Sequence, residues 1–163
     1  MRRRRKAGPV QVMDDGTYSL NLEDHEREIL GSFVDQLRQL LTETDQSART
    51  SRLFPAAYSA DEEANAEWQR LMRDELVQSR VAAIDRVDAL LDDQATFGEE
   101  DMTGLMTTVN SLRLVLGTIL DIREDGQDEN DDLDDDDPRA AQWHLYQWLG
   151  WLLEWIVDAQ SPR

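Results

Sequence analysis

The segment that most limits how this chain can fold is WHLYQWLGWLLEWIV, residues 143–157, in which eleven of fifteen residues are apolar or aromatic. Four of the five tryptophans of the chain lie in it, so a helix here is apolar on nearly every side. Such a helix is either buried in the centre of a core or shared with a partner, since exposed tryptophan-rich patches mark interfaces. The second alternative makes Trp151 and Trp155 candidate partner-binding residues, in a homodimer or in a complex with another protein.

Apolar residues spaced three and four apart predict a second helical region near the start of the chain. This helix is expected to begin near Leu22, with Asn21 as its cap and Asp24 as the acid of a capping box. Its apolar face comprises Leu30, Phe33, Val34, Leu37 and Leu41. The preceding residues 9–22 hold two short β-prone runs around Asp15-Gly16, which predicts a β-hairpin.

The stretch RLFPAAYSADEEANAEWQRLMRDEL, residues 52–76, combines an apolar loop with the start of another helix. Ser59 and Glu62 match a capping box, so a helix is predicted to start just after Ser59 and to extend to Asp93, with a bend near residues 74–78. Because exposure of large apolar groups is unfavourable, three loop residues are expected to pack on the core: Leu53, Phe54 and Tyr58. The acidic first turn then points outward as a candidate contact for a basic partner: Asp61, Glu62 and Glu63.

Two further helices complete the predicted fold. Thr96 and Glu99 form another capping-box pattern, and the apolar spacing continues from there to about residue 120. Asp137-Pro138 predicts the start of the last helix, which ends near Asp158. The fold class that follows is mainly α, a four-to-five-helix bundle-like domain with a small N-terminal β-hairpin.

Charge is concentrated in two short segments, and this predicts the domain organisation. RRRRK at residues 2–6 holds five of the 17 basic residues, and residues 121–137 hold eleven acids and one base. Like-charge runs are usually solvated. Residues 1–8 are therefore expected to form a disordered basic arm and residues 124–136 an acidic mobile loop. Residues 9–163 form a single helical domain, a size in keeping with the usual ~100–200 residues per domain.

The composition excludes several classes of function. A formal net charge of -18 opposes binding to phosphate backbones, so no specific nucleic-acid binding is expected from the chain alone. No run approaches the ~20 apolar residues of a membrane span, and no secretory signal is recognised, which favours the cytoplasm. The chain has no cysteine, so a disulfide, a thiolate metal site and a thiol switch within it are all excluded.

No motif predicts catalysis, a cofactor or a metal. The spacing from Asp121 to Asp132 partly matches an EF-hand, but a cation, Arg123, stands at its third position, where a ligand oxygen is needed. A solvated linker is the favoured interpretation. Arg80 falls on the apolar face of the second helix, where it either extends its charge to water or pairs with an acid. The alternative is that Arg80 recognises an acidic group of a partner.

Three segments resemble a known family: RLFPAAYSADEEANAEWQRLMRDEL, VNSLRLVLGTIL and YQWLGWLLEWIV. In this order they are similar to an actinobacterial family of domains of unknown function that includes the oxidative-stress transcriptional regulator AosR. The resemblance extends from about Pro9 onwards. It implies a cytosolic regulator of transcription that works through a protein partner such as a sigma factor, and gene neighbourhood implies a proteolysis adaptor as another partner.

The function that follows from these observations is that of a non-enzymatic regulatory protein in transcription and the oxidative-stress response, acting by protein–protein interaction. The alternative is an adaptor or accessory factor in regulated proteolysis. The redox role described in the family rests on paired cysteines. Since this chain has none, that role is not carried over to it.

Overall fold

The computed structural model describes residues 8–43, 52–53, 61–92, 95–122 and 133–161. Two strands and four helices make up this part of the chain. In chain order they are β1 (Val10–Val12), β2 (Tyr18–Leu20), α1 (Asp24–Thr42), α2 (Glu62–Asp92), α3 (Glu99–Ile119) and α4 (Ala140–Gln160). The mainly helical fold with a small N-terminal hairpin is therefore confirmed. Apart from Gly8, the predicted basic arm lies outside the described residues, as do residues 124–132 of the acidic loop and most of the EF-hand-like spacing.

The hairpin forms as an antiparallel pair in which Val10 lies opposite Leu20 and Val12 opposite Tyr18. Gly16 takes a φ of +84°, a conformation that residues with a side chain rarely adopt, and this explains the glycine in the turn. Asp15 supports the turn by accepting hydrogen bonds from the backbone N–H and the hydroxyl of Thr17. The hairpin predicted from Asp15-Gly16 is confirmed.

Tyr18 joins the hairpin to the start of α3. Its backbone exchanges two hydrogen bonds of 2.9 Å with Phe97, and the two rings lie 6.0 Å apart. The hydroxyl of this buried residue donates a 2.8 Å hydrogen bond to the carboxylate of Glu99, which is exposed. That hydrogen bond, and then burial, raise the pKa of Tyr18 above its ordinary value of 10.0, because both disfavour the phenolate.

Alkaline pH should therefore weaken the fold through Tyr18. Since its pKa is raised on folding, the stability it contributes is present below the unfolded pKa and is lost as pH rises through the folded value. Tyr18→Phe should lower the free energy of unfolding by about 1 kcal/mol at neutral pH through the lost hydrogen bond. The difference in free energy of unfolding between Tyr18→Phe and wild type should narrow above about pH 10. Urea unfolding of both proteins across this range measures it, and a constant difference would contradict the assignment.

The helix starts differ from the predicted ones by two or three residues. The cap of α1 is Glu23 in a capping box with Glu26, whose carboxylate accepts the Glu23 N–H at 2.8 Å. The predicted cap, Asn21, instead donates its backbone N–H to Pro9 at 2.7 Å beside the hairpin. Leu22, the predicted first helical residue, is buried in the extended segment between hairpin and helix. The hairpin therefore holds this segment extended and delays the helix.

The start of α2 is capped by Asp61, whose Oδ1 accepts the Ala64 N–H at 3.1 Å. The predicted cap, Ser59, lies outside the described residues. From Glu62 the helix continues without a break for 31 residues, through the stretch where a bend was expected. Helical backbone hydrogen bonding is therefore kept across residues 74–78.

The caps predicted for the last two helices are also wrong in detail. Gly98 is the N-terminal cap of α3, and Glu99 is the first helical residue, its carboxylate engaged by Tyr18 rather than by a capping box with Thr96. Asp137 forms a turn ahead of α4, accepting the N–H groups of Arg139 and Ala140 through its side chain and carbonyl. The helix starts at Ala140 and ends two residues beyond Asp158.

The helix at the centre of the bundle is α3, which packs against α1, α2 and α4. Its buried positions include four small or hydroxyl residues, which let neighbouring helices approach: Gly104, Thr108, Ser111 and Gly117. In contrast, α4 packs against α3 and β1. The strongly apolar last helix is therefore not the central one, and one of its sides is left at the surface.

Candidate interaction surface on the last helix

Helix α4 has one buried side and one exposed side. Leu145, Leu149, Leu152 and Ile156 recur at helical spacing and are at most 9% exposed, which fixes the side that faces the core. The opposite side, which we call the outer face, consists of five residues at the same spacing, all exposed: His144, Gln147, Trp151, Glu154 and Asp158. A large aromatic ring therefore stands in the middle of an otherwise polar face.

Trp151 is that ring, and 44% of its surface is exposed. It meets Trp155, one turn later, edge to face, with ring centroids 6.4 Å apart and planes at 72°. Trp155 is half-buried against the core and against Gly8, where a Cβ would lie 2.4 Å from the indole. A partly fixed ring thus supports an exposed one, an arrangement that reduces the entropy lost when a partner packs on Trp151.

A hollow of about 410 Å³ opens along one flank of the outer face. Its lining combines a cation, two acids and apolar groups: Arg113, Gly150, Leu153, Glu154, Val157, Asp158 and Ser161. Arg113 reaches it from α3, with its guanidinium carbon 4.7 Å from the centre of the Tyr146 ring. Gly150 makes room, since a Cβ there would stand about 3.4 Å from that guanidinium.

The charge beside Trp151 is negative. Glu154 and Asp158 are exposed, and neither forms an ion pair with any residue that the structure describes. Arginine and lysine stack on tryptophan faces and bond to carboxylates, and both groups are present here within two helical turns. This chemistry suits a basic segment with an apolar or aromatic neighbour.

The six sequence-predicted binding residues fall in three separate places. Trp151 and Trp155 contact each other on α4. The three acids Asp61, Glu62 and Glu63 are exposed at the start of α2, as expected, and Asp61 also caps that helix. Their role in binding a basic partner stays a prediction.

Arg80 lies between α2 and α3. Its guanidinium donates to the Ser111 hydroxyl at 2.9 Å and to the Leu53 carbonyl at 3.2 Å. Desolvation by burial lowers its pKa from the ordinary value. These contacts join two helices to the turn at residues 52–53. Both acceptors are neutral groups, whereas the sequence had left open either an extension of the charge to water or a pair with an acid. Its part in partner recognition stays a prediction.

Sequence reasoning missed Arg113, Glu154 and Asp158 as members of this surface. Arg113 is four positions before Gly117 in an apolar helix, and its neighbours on α4 cannot be read from the local pattern. Two signals were usable. Gly150 is the single small residue in a run of bulky ones, and glycine inside a helix often marks a close approach. Glu154 and Asp158 continue the helical spacing of the polar residues His144 and Gln147.

A larger groove of about 800 Å³ lies between α1 and α2, but the one arginine among its lining residues is already engaged. Arg27 donates to the carbonyls of Leu20, Leu22, Leu90 and Leu91. Two of the lining acids, Asp35 and Asp88, are already paired with Arg38. The groove is lined mainly by polar side chains, and its arginine and two of its acids are already engaged, so we do not take it as the binding site.

Neither a metal site nor a membrane span is found in the described residues. No group of three or more His, Asp or Glu side chains within residues 8–43, 52–53, 61–92, 95–122 and 133–161 could hold a metal ion. Over the same ranges, no helix is long and apolar enough to cross a bilayer.

Comparison with known proteins gives a family and several named relatives. The family model for the domain of unknown function DUF2017 matches residues 2–160. The oxidative stress regulator AosR of Mycobacterium tuberculosis and that of Mycobacterium bovis are each 34% identical over 106 residues, which is 63% of this chain and 47% of theirs. The putative oxidative stress regulator AosR of Mycobacterium leprae is 32% identical over 126 residues, 76% of this chain and 57% of that protein. The chain thus spans about half the length of these curated relatives, and no solved structure matches it.

Proposed function

Because this chain belongs to the DUF2017 family, we propose that it is a regulator of the transcriptional response to oxidative stress and acts by binding another protein through the outer face of α4. The relatives it matches are named oxidative stress regulators. The observation that carries the proposed mechanism is the exposed Trp151, held by Trp155 in a face that is otherwise polar. Tryptophan is among the residues that most often dominate the energy of an interface.

A protein partner fits this surface better than a small substrate does. The hollow beside Trp151 is open and is lined by two exposed acids, whereas ligand sites for small molecules are largely enclosed and apolar. The partner we propose is a component of the transcription apparatus, such as a sigma factor. The signal reaches this chain by some route other than its own thiols, since its 163 residues contain no cysteine.

The proposed function is tested in the source cell by deleting the gene and measuring all transcripts before and after peroxide treatment. We expect a set of stress transcripts to lose much of its induction, and a restored wild-type copy to return it. An unchanged response in the deletion strain, with the protein shown to be produced in the parent, would overturn the proposal.

The partner can be identified through the surface itself. A photo-crosslinking amino acid placed at Gln147, on the outer face beside an intact Trp151, should capture a transcription protein from peroxide-treated cells, and the same group placed at Leu71 serves as control. Leu71 is 68% exposed on α2, so it is fully open to chance encounters. Equal capture from both positions would show that the outer face has no special role.

A further inference from the structure

The described part of the chain begins beside the outer face of α4. Gly8 lies so close to Trp155 that a Cβ would stand 2.4 Å from the indole, and the next residue, Pro9, is buried. Val10 then pairs in the hairpin. Gly8, the residue to which the preceding segment is attached, therefore lies next to Trp155, one helical turn from Trp151.

The segment that precedes Gly8 has a charge opposite to that of the outer face. Residues 2–6 are four arginines and a lysine, five of the 17 basic residues of a chain whose net charge is -18. The face offers the indole of Trp151 and the carboxylates of Glu154 and Asp158, unpaired among the described residues. Guanidinium groups bind both: they stack on tryptophan and form charge-assisted hydrogen bonds with carboxylates.

Length and tethering favour this segment over any other basic group. Six residues in extended form span up to roughly 20 Å, and the centroids of Trp151 and Trp155 are only 6.4 Å apart. A short tether holds its ligand at an effective concentration on the order of millimolar, so even weak contacts are occupied. A free basic peptide would have to reach a comparable concentration to compete.

We propose that the basic segment at residues 2–6 docks on the outer face of α4, over Trp151, Glu154 and Asp158, and covers it against partners. The docking itself is independent of the proposed function. Its regulatory meaning rests on that function, because the covered face is the one assigned to the partner. A partner must then displace the basic segment, or offer a basic group that binds better.

The test uses the full-length, ¹⁵N-labelled protein without any partner and follows the indole N–H signals of its tryptophans by NMR. Trp151→Phe assigns the relevant signal. The comparison is with an arm-neutral variant that carries Ser in place of each basic residue from Arg2 to Lys6. Trp68, on α2, serves as the internal control in the same spectra.

At low salt, the Trp151 signal should differ between wild type and the arm-neutral variant, while the Trp68 signal coincides. Raising the salt to about 0.5 M should move the wild-type signal to the arm-neutral position, because the Debye length falls from about 30 Å at 0.01 M to a few Å. Replacing Glu154 by Gln and Asp158 by Asn should remove this salt dependence. A synthetic peptide of sequence MRRRRKA should reproduce the shift in the arm-neutral variant only near millimolar concentration.

Identical Trp151 signals in wild type and the arm-neutral variant at low salt would overturn the proposal. A signal that changes with protein concentration would also overturn it, by showing that the arm of a second copy occupies the face. Since no partner is present, the result is separate from the proposed function. If the NMR signals show docking but gene deletion does not change the stress transcripts, the docking inference stands and the proposed function is wrong.

Discussion

Replacing Leu53 by alanine should lower the free energy of unfolding by about 2–5 kcal/mol, the usual cost of a leucine-to-alanine change in a core. Leu53 is 1% exposed and belongs to the main hydrophobic cluster, although it lies in a short turn outside the long helices. Its carbonyl also accepts the Arg80 guanidinium at 3.2 Å. The turn is thus attached to the bundle through both its side chain and its backbone.

Denaturant unfolding of Leu53→Ala, with Leu71→Ala as the matched control, measures this effect. Leu71 is 68% exposed, so its truncation should change stability by no more than about 0.5 kcal/mol. Equal small effects at both positions would show that the 52–53 turn does not anchor the fold. The other expected anchors of this loop, Phe54 and Tyr58, lie outside the described residues.

The second large effect concerns binding. Trp151→Ala should weaken the complex with the transcription partner by about 30-fold or more, equivalent to roughly 2 kcal/mol, the level that defines an interface hot spot. The loss should appear mainly as faster dissociation. Titration calorimetry or surface plasmon resonance with the crosslinked partner measures it.

Controls separate lost contact from lost folding. Trp151 is 44% exposed, so its truncation should leave most of the fold intact, as thermal unfolding would show. Leu71→Ala should bind the partner with unchanged affinity. If Trp151→Ala keeps full affinity while its fold is intact, the outer face is not the contact surface.

The sequence pattern predicted the secondary structure better than it predicted which surfaces meet. Four helices and the hairpin follow from apolar spacing and from Asp15-Gly16, because both signals are local. The helix starts were less predictable, since the hairpin competes for Asn21 and Tyr18 competes for Glu99. Tertiary contacts decided between capping residues that the sequence alone made equivalent.

At the candidate site, too, tertiary packing decides what the local sequence pattern does not, namely which tryptophans are buried. Trp143 is 8% exposed and Trp151 is 44% exposed, yet both lie in one run of bulky residues. Four polar residues at helical spacing do mark the outer face in the sequence: His144, Gln147, Glu154 and Asp158. Local spacing does not, however, tell which helix takes the central place in the bundle. That choice is made by α3, whose small residues allow it to take the central place and leave one side of α4 at the surface.

The measurement that tests the central claim most directly is the stress response of a strain whose chromosomal gene carries Trp151→Ala. Its transcripts after peroxide treatment are compared with those of wild type and of a Leu71→Ala strain, at matched protein levels. We predict that Trp151→Ala reproduces the loss of induction seen on gene deletion, whereas Leu71→Ala responds like wild type. A normal response in the Trp151→Ala strain, together with a lost response on deletion, would contradict the claim that this chain regulates through the outer face of α4.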